Sequence, residues 1–211
     1  MLIESVVTGP FQENVYLVAK DRGEECVIID PGDEADRIQE RIDELGLRPV
    51  MILNTHGHLD HIGAVPDLQE AYSIPFAIHP ADRFLLENVD QHARLFGLEG
   101  YRDPVVDRDL SEGEPVEAAG IAFDVLGTPG HTPGGVSFVA DGHAFVGDCL
   151  FLGSIGRTDL PGGDPAVLKA TLRDVLMNLP DATIVHSGHG PDTSIGQERT
   201  SNPFLTGAFP W

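Results

Sequence analysis

The sequence predicts a mixed fold, α+β grading into α/β, and three observations lead there. Runs rich in β-branched residues open the chain. Amphipathic helical stretches then alternate with short apolar strands. Further on, an Asp141-Gly142 dipeptide between two apolar runs signals a hairpin in a second group of strands. A chain of 211 residues, 41% of them apolar, can bury one sizeable core. It carries no clear linker, repeat or low-complexity stretch, so one domain spanning 1–211 is expected.

In order, Leu2 to Val7, Val15 to Ala19 and Cys26 to Ile29 read as a strand meander, punctuated by Gly9-Pro10 and Asp21-Arg22-Gly23. Asp30-Pro31-Gly32 ends the meander. From Ala35 to Leu45, Ile38, Ile42 and Leu45 recur at helical spacing, and Gly46 stops the helix. Val50 to Leu53 is a short buried strand that leads into Thr55-His56-Gly57-His58-Leu59-Asp60-His61, where Gly57 is expected to allow a tight bend. Open α/β sheets place their active sites at such carboxyl ends. Pro66 suits the first turn of a helix reaching Tyr72, Phe76 to Ile78 is strand-like, and Pro80 to Phe96 reads as interrupted helix. His79 and His92 have no ligand-type neighbour and read as ordinary surface or core histidines. Residues 97–114, punctuated by Gly, Pro and Asp, read as a loop or lid.

In the second half, Ile121 to Leu126 is strand-like and runs into Gly127-Thr128-Pro129-Gly130-His131-Thr132-Pro133-Gly134-Gly135. Val136 to Ala140 and His143 to Val146 flank the Asp141-Gly142 turn. Extending that hairpin register sets Asp148 opposite Gly135, at the end that carries His131, and turns Cys149 the other way. Gly153 to Gly163 is a Gly-rich loop with Arg157 and Asp159. Asp164 is placed to cap a helix from Pro165 to Leu179, whose stripe of Val167, Leu168, Leu172, Val175, Leu176 and Leu179 reads as core. The strand Thr183 to Val185 leads to His186-Ser187-Gly188-His189-Gly190. His186 reads as structural and His189, between glycines past the strand end, as a ligand candidate.

Charge narrows the partners. Against 34 acidic residues stand 13 basic ones, a formal net charge of -21. Such a surface repels phosphate backbones, which argues against nucleic acid and anionic membrane. It reads first as a solubilising surface; adaptation to high salt is the sharper alternative. Cys26 and Cys149 are expected to be small buried hydrophobes, with no disulfide framework. The N-terminal stretch lacks a basic region followed by an apolar core, and a cytoplasmic location is the default expectation.

The chemistry concentrates in Thr55–His61. Four metal-binding side chains, His56, His58, Asp60 and His61, crowd together. Histidines packed this closely repel once protonated and are hard to desolvate together without a cation, so the cluster reads as a metal site. His131, Asp148 and His189 are the further candidates that the strand-end loops deliver.

The succession T-H-x-H-x-D-H, P-G-H-T-P-G, G-D and G-H-G resembles the metallo-β-lactamase superfamily, in its type II glyoxalase-like, short bacterial branch. The resemblance spans nearly the whole chain. It implies a four-layer αβ/βα sandwich and two divalent metal ions, zinc first with iron and manganese as alternatives. It further implies His56, His58 and His131 on one ion, Asp60, His61 and His189 on the other, and Asp148 bridging. Asp60 would also orient an attacking hydroxide, and a thioester such as an S-acylglutathione would be the small-molecule substrate, its thiolate leaving without a separate general acid.

The chain departs from the larger family members in two ways. The C-terminal helical domain of those members is not expected here, and Gly156-Arg157-Thr158-Asp159 supplies a basic residue without the accompanying tyrosine. Arg157 is the candidate substrate-binding residue, as a clamp for a carboxylate; an ion pair with Asp159 or Asp164 is the equal alternative. The same segment also resembles persulfide dioxygenases of the superfamily, which use one iron at positions corresponding to His56, His131 and Asp148. A metal-binding protein without catalysis is disfavoured by the full ligand set, nuclease activity by the charge, and β-lactamase activity by the glyoxalase-type ligands and loops.

Overall fold

The computed structural model describes residues 1–209; Pro210 and Trp211, at the end of the expected domain span, lie outside the described residues. The first sheet takes its strands in chain order: β1 (Leu2–Thr8), β2 (Glu13–Ala19), β3 (Glu25–Ile29), β4 (Arg48–Leu53), β5 (Phe76–Ile78) and β6 (Arg108–Asp109). Pairing is antiparallel from β1 to β3 and parallel from β3 to β6. Its helices are α1 (Ala35–Leu45), α2 (Leu59–Ile62), α3 (Val65–Tyr72) and α4 (Val89–Leu95), with a 3₁₀ turn at Pro80–Leu86.

The second sheet contains β7 (Val116–Ala118), β8 (Ile121–Gly127), β9 (Val136–Ala140) and β10 (His143–Gly147). A small β11 (Leu150–Phe151) and β12 (Ser154–Ile155) ribbon follows, then α5 (Pro165–Asp174), β13 (Ile184–Ser187), β14 (Thr193–Ser194), α6 (Ile195–Ser201) and α7 (Pro203–Thr206). The sheet order is β14-β13-β10-β9-β8-β7.

Period-two alternation explains the layering. In β2, Tyr16 and Val18 join Phe123, Phe138 and Phe145 of the other sheet in a core between the sheets. Val15, Leu17 and Ala19 point the opposite way, onto Ile38, Ile42, Val65 and Leu68 of α1 and α3. On the far side of the second sheet, Ala144, Val146 and Val185 pack on Leu168, Leu172 and Leu176. The result is helix, sheet, sheet, helix: the four-layer sandwich. No helix among the described residues is long and apolar enough to cross a membrane.

Local chemistry sets the element ends. Helix α1 stops at Gly46, whose φ of 66° is the left-handed conformation glycine tolerates, and its buried side chains are Ile38, Ile42 and Leu45. Asp164 caps α5 by accepting from the N–H groups of Ala166 at 2.8 Å and Val167 at 3.1 Å. That helix ends earlier than its apolar stripe suggests. It breaks at Val175 into a 3₁₀ turn at Leu176–Asn178, and Val167 lies exposed. The fully buried part of the stripe is Leu168, Leu172 and Leu176, four residues apart each time, with Leu179 packed partly buried beside it.

Asp141 and Gly142 both have positive φ, 48° and 80°, the signature of a tight primed hairpin turn. The ladder runs His143–Ala140, Ala144–Val139 and Phe145–Phe138 and ends there. Asp148 is therefore not ladder-paired opposite Gly135; β10 bulges between Phe145 and Gly147 as it follows β13. Residues 97–114 are mostly irregular, with β6 the added strand.

Candidate metal centre

The ligand candidates gather where the strands of both sheets end. Past β4, Asn54 donates its side-chain amide to the carbonyl of His61 at 2.7 Å, folding the segment back on itself. Past β3, buried Asp30 accepts from the Thr55 N–H at 2.6 Å, the Thr55 hydroxyl at 2.5 Å and His61 Nδ1 at 3.1 Å. With Nδ1 held by Asp30, His61 turns Nε2 toward Asp148 Oδ1, 3.3 Å away. His131 is oriented in the same manner: Nδ1 donates to the Arg157 carbonyl at 2.7 Å, which leaves Nε2 facing the cluster.

All seven candidates converge. His56, His58 and His131 offer ligand atoms within 4.8 Å of one another, and so do Asp60, His61 and His189. Asp148 lies between the two groups, with Oδ2 at 3.6 Å from His131 Nε2 and 3.5 Å from His189 Nε2. His189 Nε2 also approaches Asp60 Oδ2 at 3.3 Å. Asp30, His56 and His61 form a third close trio. Because Asp30 already accepts three hydrogen bonds, it reads as the support of His61 rather than as a ligand.

Among the described residues, His56 Nε2, His58 Nε2, His61 Nε2 and Asp148 Oδ1 are buried without a hydrogen-bond partner. Leaving such atoms unsatisfied in a folded interior is costly, on the order of 1–3 kcal/mol each, unless an ion takes up their lone pairs. The nitrogen and oxygen donor set fits divalent zinc, iron or manganese. Cys149 belongs to the core beside α5, as expected.

Electrostatics support a cation. Burial, followed by the neighbouring imidazoles, drives His56 well below its ordinary pKa, and the same causes lower His58 to about 4. Burial also works against charge on His61, but Asp148, Asp30 and Asp60 outweigh it and the net direction is upward. Asp148 is the mirror case: burial favours its neutral form, yet His61 and His189 hold it well below the carboxylate range. The protein alone thus stabilises carboxylates that call for positive charge, and keeps the lone pairs of His56 and His58 free of protons.

Several supports carried no signal of their own in the sequence. Asp82 is fully buried and accepts from the Gly57 N–H at 3.1 Å, the Thr132 hydroxyl at 2.7 Å and the Gly134 N–H at 2.6 Å. It thereby ties the His56–His58 loop to the His131 loop. Buried Glu13 stands 3.8 Å from His61 Nδ1. Asp30 lacks the crowd of ligand-type neighbours that singled out Thr55–His61; its one signal in the sequence is its place directly after a strand.

Gly57 differs from expectation in its reason. Its φ is not positive; a Cβ there would stand 3.1 Å from Leu85 Cβ and 3.2 Å from the Asp82 carbonyl oxygen, so the requirement is close approach. Gly188 likewise gives way to Asp148 and His61, whose atoms a Cβ would strike.

Arg157 is brought to the rim by its backbone, and its guanidinium is occupied. Nε and Nη2 donate to Asp159 at 2.7 and 2.8 Å. The ion pair that the sequence left open beside the clamp is present, between two side chains that are both largely exposed. His186 lies within β13 and is buried, 2.9 Å from His143 Nδ1 and 3.0 Å from Asp192, away from the seven candidates. His79 accepts from the Ala81 N–H, and His92 is exposed.

Known proteins resemble this chain over nearly its whole length. The family model for the metallo-beta-lactamase superfamily matches residues 8–189. "Hydroxyacylglutathione hydrolase GloC" of Haemophilus influenzae is 43% identical over 209 residues, covering 97% of this chain and 98% of the relative. Among solved structures, TTHA1623 in a di-iron-bound form is 46% identical, with a TM-score of 0.87 over 96% of this chain and 100% of that one. BLEG-1, described as a B3 metallo-beta-lactamase, is 41% identical, with a TM-score of 0.91 over 97% of this chain and 100% of that one.

Proposed function

The chain belongs to the metallo-β-lactamase superfamily, and on that premise we propose that it is a binuclear metal-dependent hydrolase of thioesters, with S-acylglutathiones the first substrates to test. The observation that carries this reading is the convergence of seven imidazole and carboxylate side chains around buried atoms that lack partners.

In this reading His56, His58 and His131 hold one ion, Asp60, His61 and His189 hold the other, and Asp148 is shared. When bound, two such ions acidify a water and polarise the carbonyl it attacks. The remaining work belongs to the chain. Asp60, next to His189 at the partly exposed edge of the cluster, accepts a hydrogen bond from the attacking water and orients it. Asp30 and the Arg157 carbonyl engage Nδ1 of His61 and His131, so that Nε2 of each is the atom turned toward the cluster. Water oxygen bonds to the carbonyl carbon, the carbon–sulfur bond breaks, and sulfur leaves with the electron pair. One proton goes to the thiolate and one to solvent. A thiolate leaves readily, so no further acid is needed.

Oxidation of a persulfide at a single iron would use His56, His131 and Asp148 alone. Dioxygenases of this kind keep much of the remaining pattern, so the second trio of Asp60, His61 and His189 supplies what a binuclear hydrolase needs without by itself excluding them. The relative named as a hydroxyacylglutathione hydrolase supports hydrolysis.

The test is metal analysis of the purified protein alongside assays of thioester hydrolysis, β-lactam hydrolysis and oxygen consumption. Two metal ions per chain and thioester turnover without oxygen uptake are expected. Persulfide turnover with oxygen uptake and a single iron overturns the reading, as does turnover of β-lactams alone.

A further inference from the structure

Exposed aromatic rings flank the metal centre of a protein whose formal net charge is -21. Phe11, in the turn between β1 and β2, lines a narrow cleft with Leu59 and Asp60 and is 38% exposed. Phe96, just past α4 and 61% exposed, meets it edge-on, with ring centroids 5.4 Å apart. Beyond Asp60 comes His189, and the Phe151 ring lies 6.1 Å from the His189 ring. Leu152, next in the chain, is exposed. Phe96 thus meets Phe11, Phe11 shares a cleft with Asp60, and Phe151 stands beside His189, so a strip of apolar rings neighbours the two partly exposed ligand candidates Asp60 and His189. Large apolar side chains gathered at the mouth of a reactive centre mark a binding surface, because solubility alone would place charge there.

The charged groups at the same rim point the same way. A glutathionyl group carries carboxylates several bonds from its thioester, and they need cationic contacts away from the reacting carbon. The basic side chain closest to that role, Arg157, is held bidentate by Asp159. In the Phe11 cleft the charged residue besides Asp60 is Asp33, whose Oδ2 accepts from the Tyr101 hydroxyl at 2.7 Å.

We propose that the site prefers uncharged thioesters bearing an apolar chain, seated on Phe11 and Phe96, over glutathione thioesters; this rests on the thioester-hydrolase reading above. The apolar chain loses water against the rings while the carbonyl reaches the centre, and the missing carboxylates remove the need for a free cation.

The experiment measures kcat/KM of the metal-loaded protein on N-acetylcysteamine thioesters of increasing acyl length, beside S-lactoylglutathione. Each added methylene that reaches the strip should raise kcat/KM by about three- to fourfold, the Boltzmann equivalent of burying one methylene. The longer neutral esters should then exceed S-lactoylglutathione. Phe11→Ala and Phe96→Ala should each flatten the chain-length dependence. Asp159→Ala, which frees Arg157, should raise turnover of S-lactoylglutathione relative to the neutral esters. A flat profile with S-lactoylglutathione preferred overturns the inference and leaves the hydrolase reading intact. A rising profile that neither Phe variant changes overturns the assignment of the strip. Absence of turnover with every thioester overturns the hydrolase reading itself.

Discussion

Replacing Asp82 by alanine should loosen two ligand-bearing loops at once, although Asp82 touches none of the seven candidate ligands. Its carboxylate accepts from the Gly57 N–H, the Thr132 hydroxyl and the Gly134 N–H, all buried. Alanine leaves those three donors facing a small void. At about 1–3 kcal/mol per unsatisfied buried donor, and near the low end because water can enter part of the space, the loss is about 3–5 kcal/mol. Set against a typical domain stability of about 5–15 kcal/mol, that is a large fraction. Asp82→Asn keeps the shape and one acceptor but turns an amide donor toward a donor, so it should lose less, about 1–3 kcal/mol. Because Asp82 sets the spacing between the His56–His58 and His131 segments, metal affinity should also fall, by about 10- to 100-fold for the alanine variant. Urea unfolding of the metal-free protein measures the first quantity and chelator competition the second. An Asp82→Ala protein within about 1 kcal/mol of wild type and equal to it in metal affinity would refute the clamp.

Three more outcomes follow from the same geometry. Burial raises the pKa of Asp82 above its ordinary value despite the opposing hydrogen bonds. An acid raised in the folded state contributes stability that is full below its unfolded pKa, near 4, and is lost as pH rises through the folded value; the stability advantage of wild type over Asp82→Asn should therefore shrink as pH rises above about 4, and an advantage that grows with pH contradicts the assigned direction. Asp148→Ala should abolish activity and lower the content of both metals together, since Asp148 stands within reach of His61, His131 and His189; retention of two tightly bound ions by elemental analysis would count against a bridging role. If the acidic surface, 34 Asp and Glu against 13 Lys and Arg, is a high-salt adaptation, the melting temperature should climb across a wide salt range through screening of like charges, and a melting temperature indifferent to salt removes that explanation.

The readable part of the site is the part whose chemistry is local in the chain. His56, His58, Asp60 and His61 advertise themselves because their shared need for a cation falls within one loop, and Asp141-Gly142 marks a hairpin beyond whose last ladder pair, Phe145–Phe138, Asp148 comes within 3.6 Å of His131. Helix α1 was legible for the same reason: spacing, buried face and terminal Gly46 all lie within it. Asp82 is the opposite case. In sequence it is one aspartate in a 3₁₀ turn, and its role exists only because Gly57 lies 25 residues before it and Gly134 lies 52 after it, both donating to the same carboxylate. Short strands such as β6 and β7 exist by pairing with longer neighbours, so a two- or three-residue run carries too little periodicity to declare itself. Arg157 shows a third kind of limit. Its ion pair is local, with Asp159 two residues on, yet the spacing alone allowed a free clamp as readily as a closed one, and only side-chain geometry separates them. That distinction bears directly on the substrate. On the proposed reading, a site whose cation pairs with Asp159 and whose rim presents Phe11 and Phe96 would recognise its ligand through apolar contact, so a ligand set shared across a family is compatible with a selectivity set by a few rim residues that the ligand motifs do not contain.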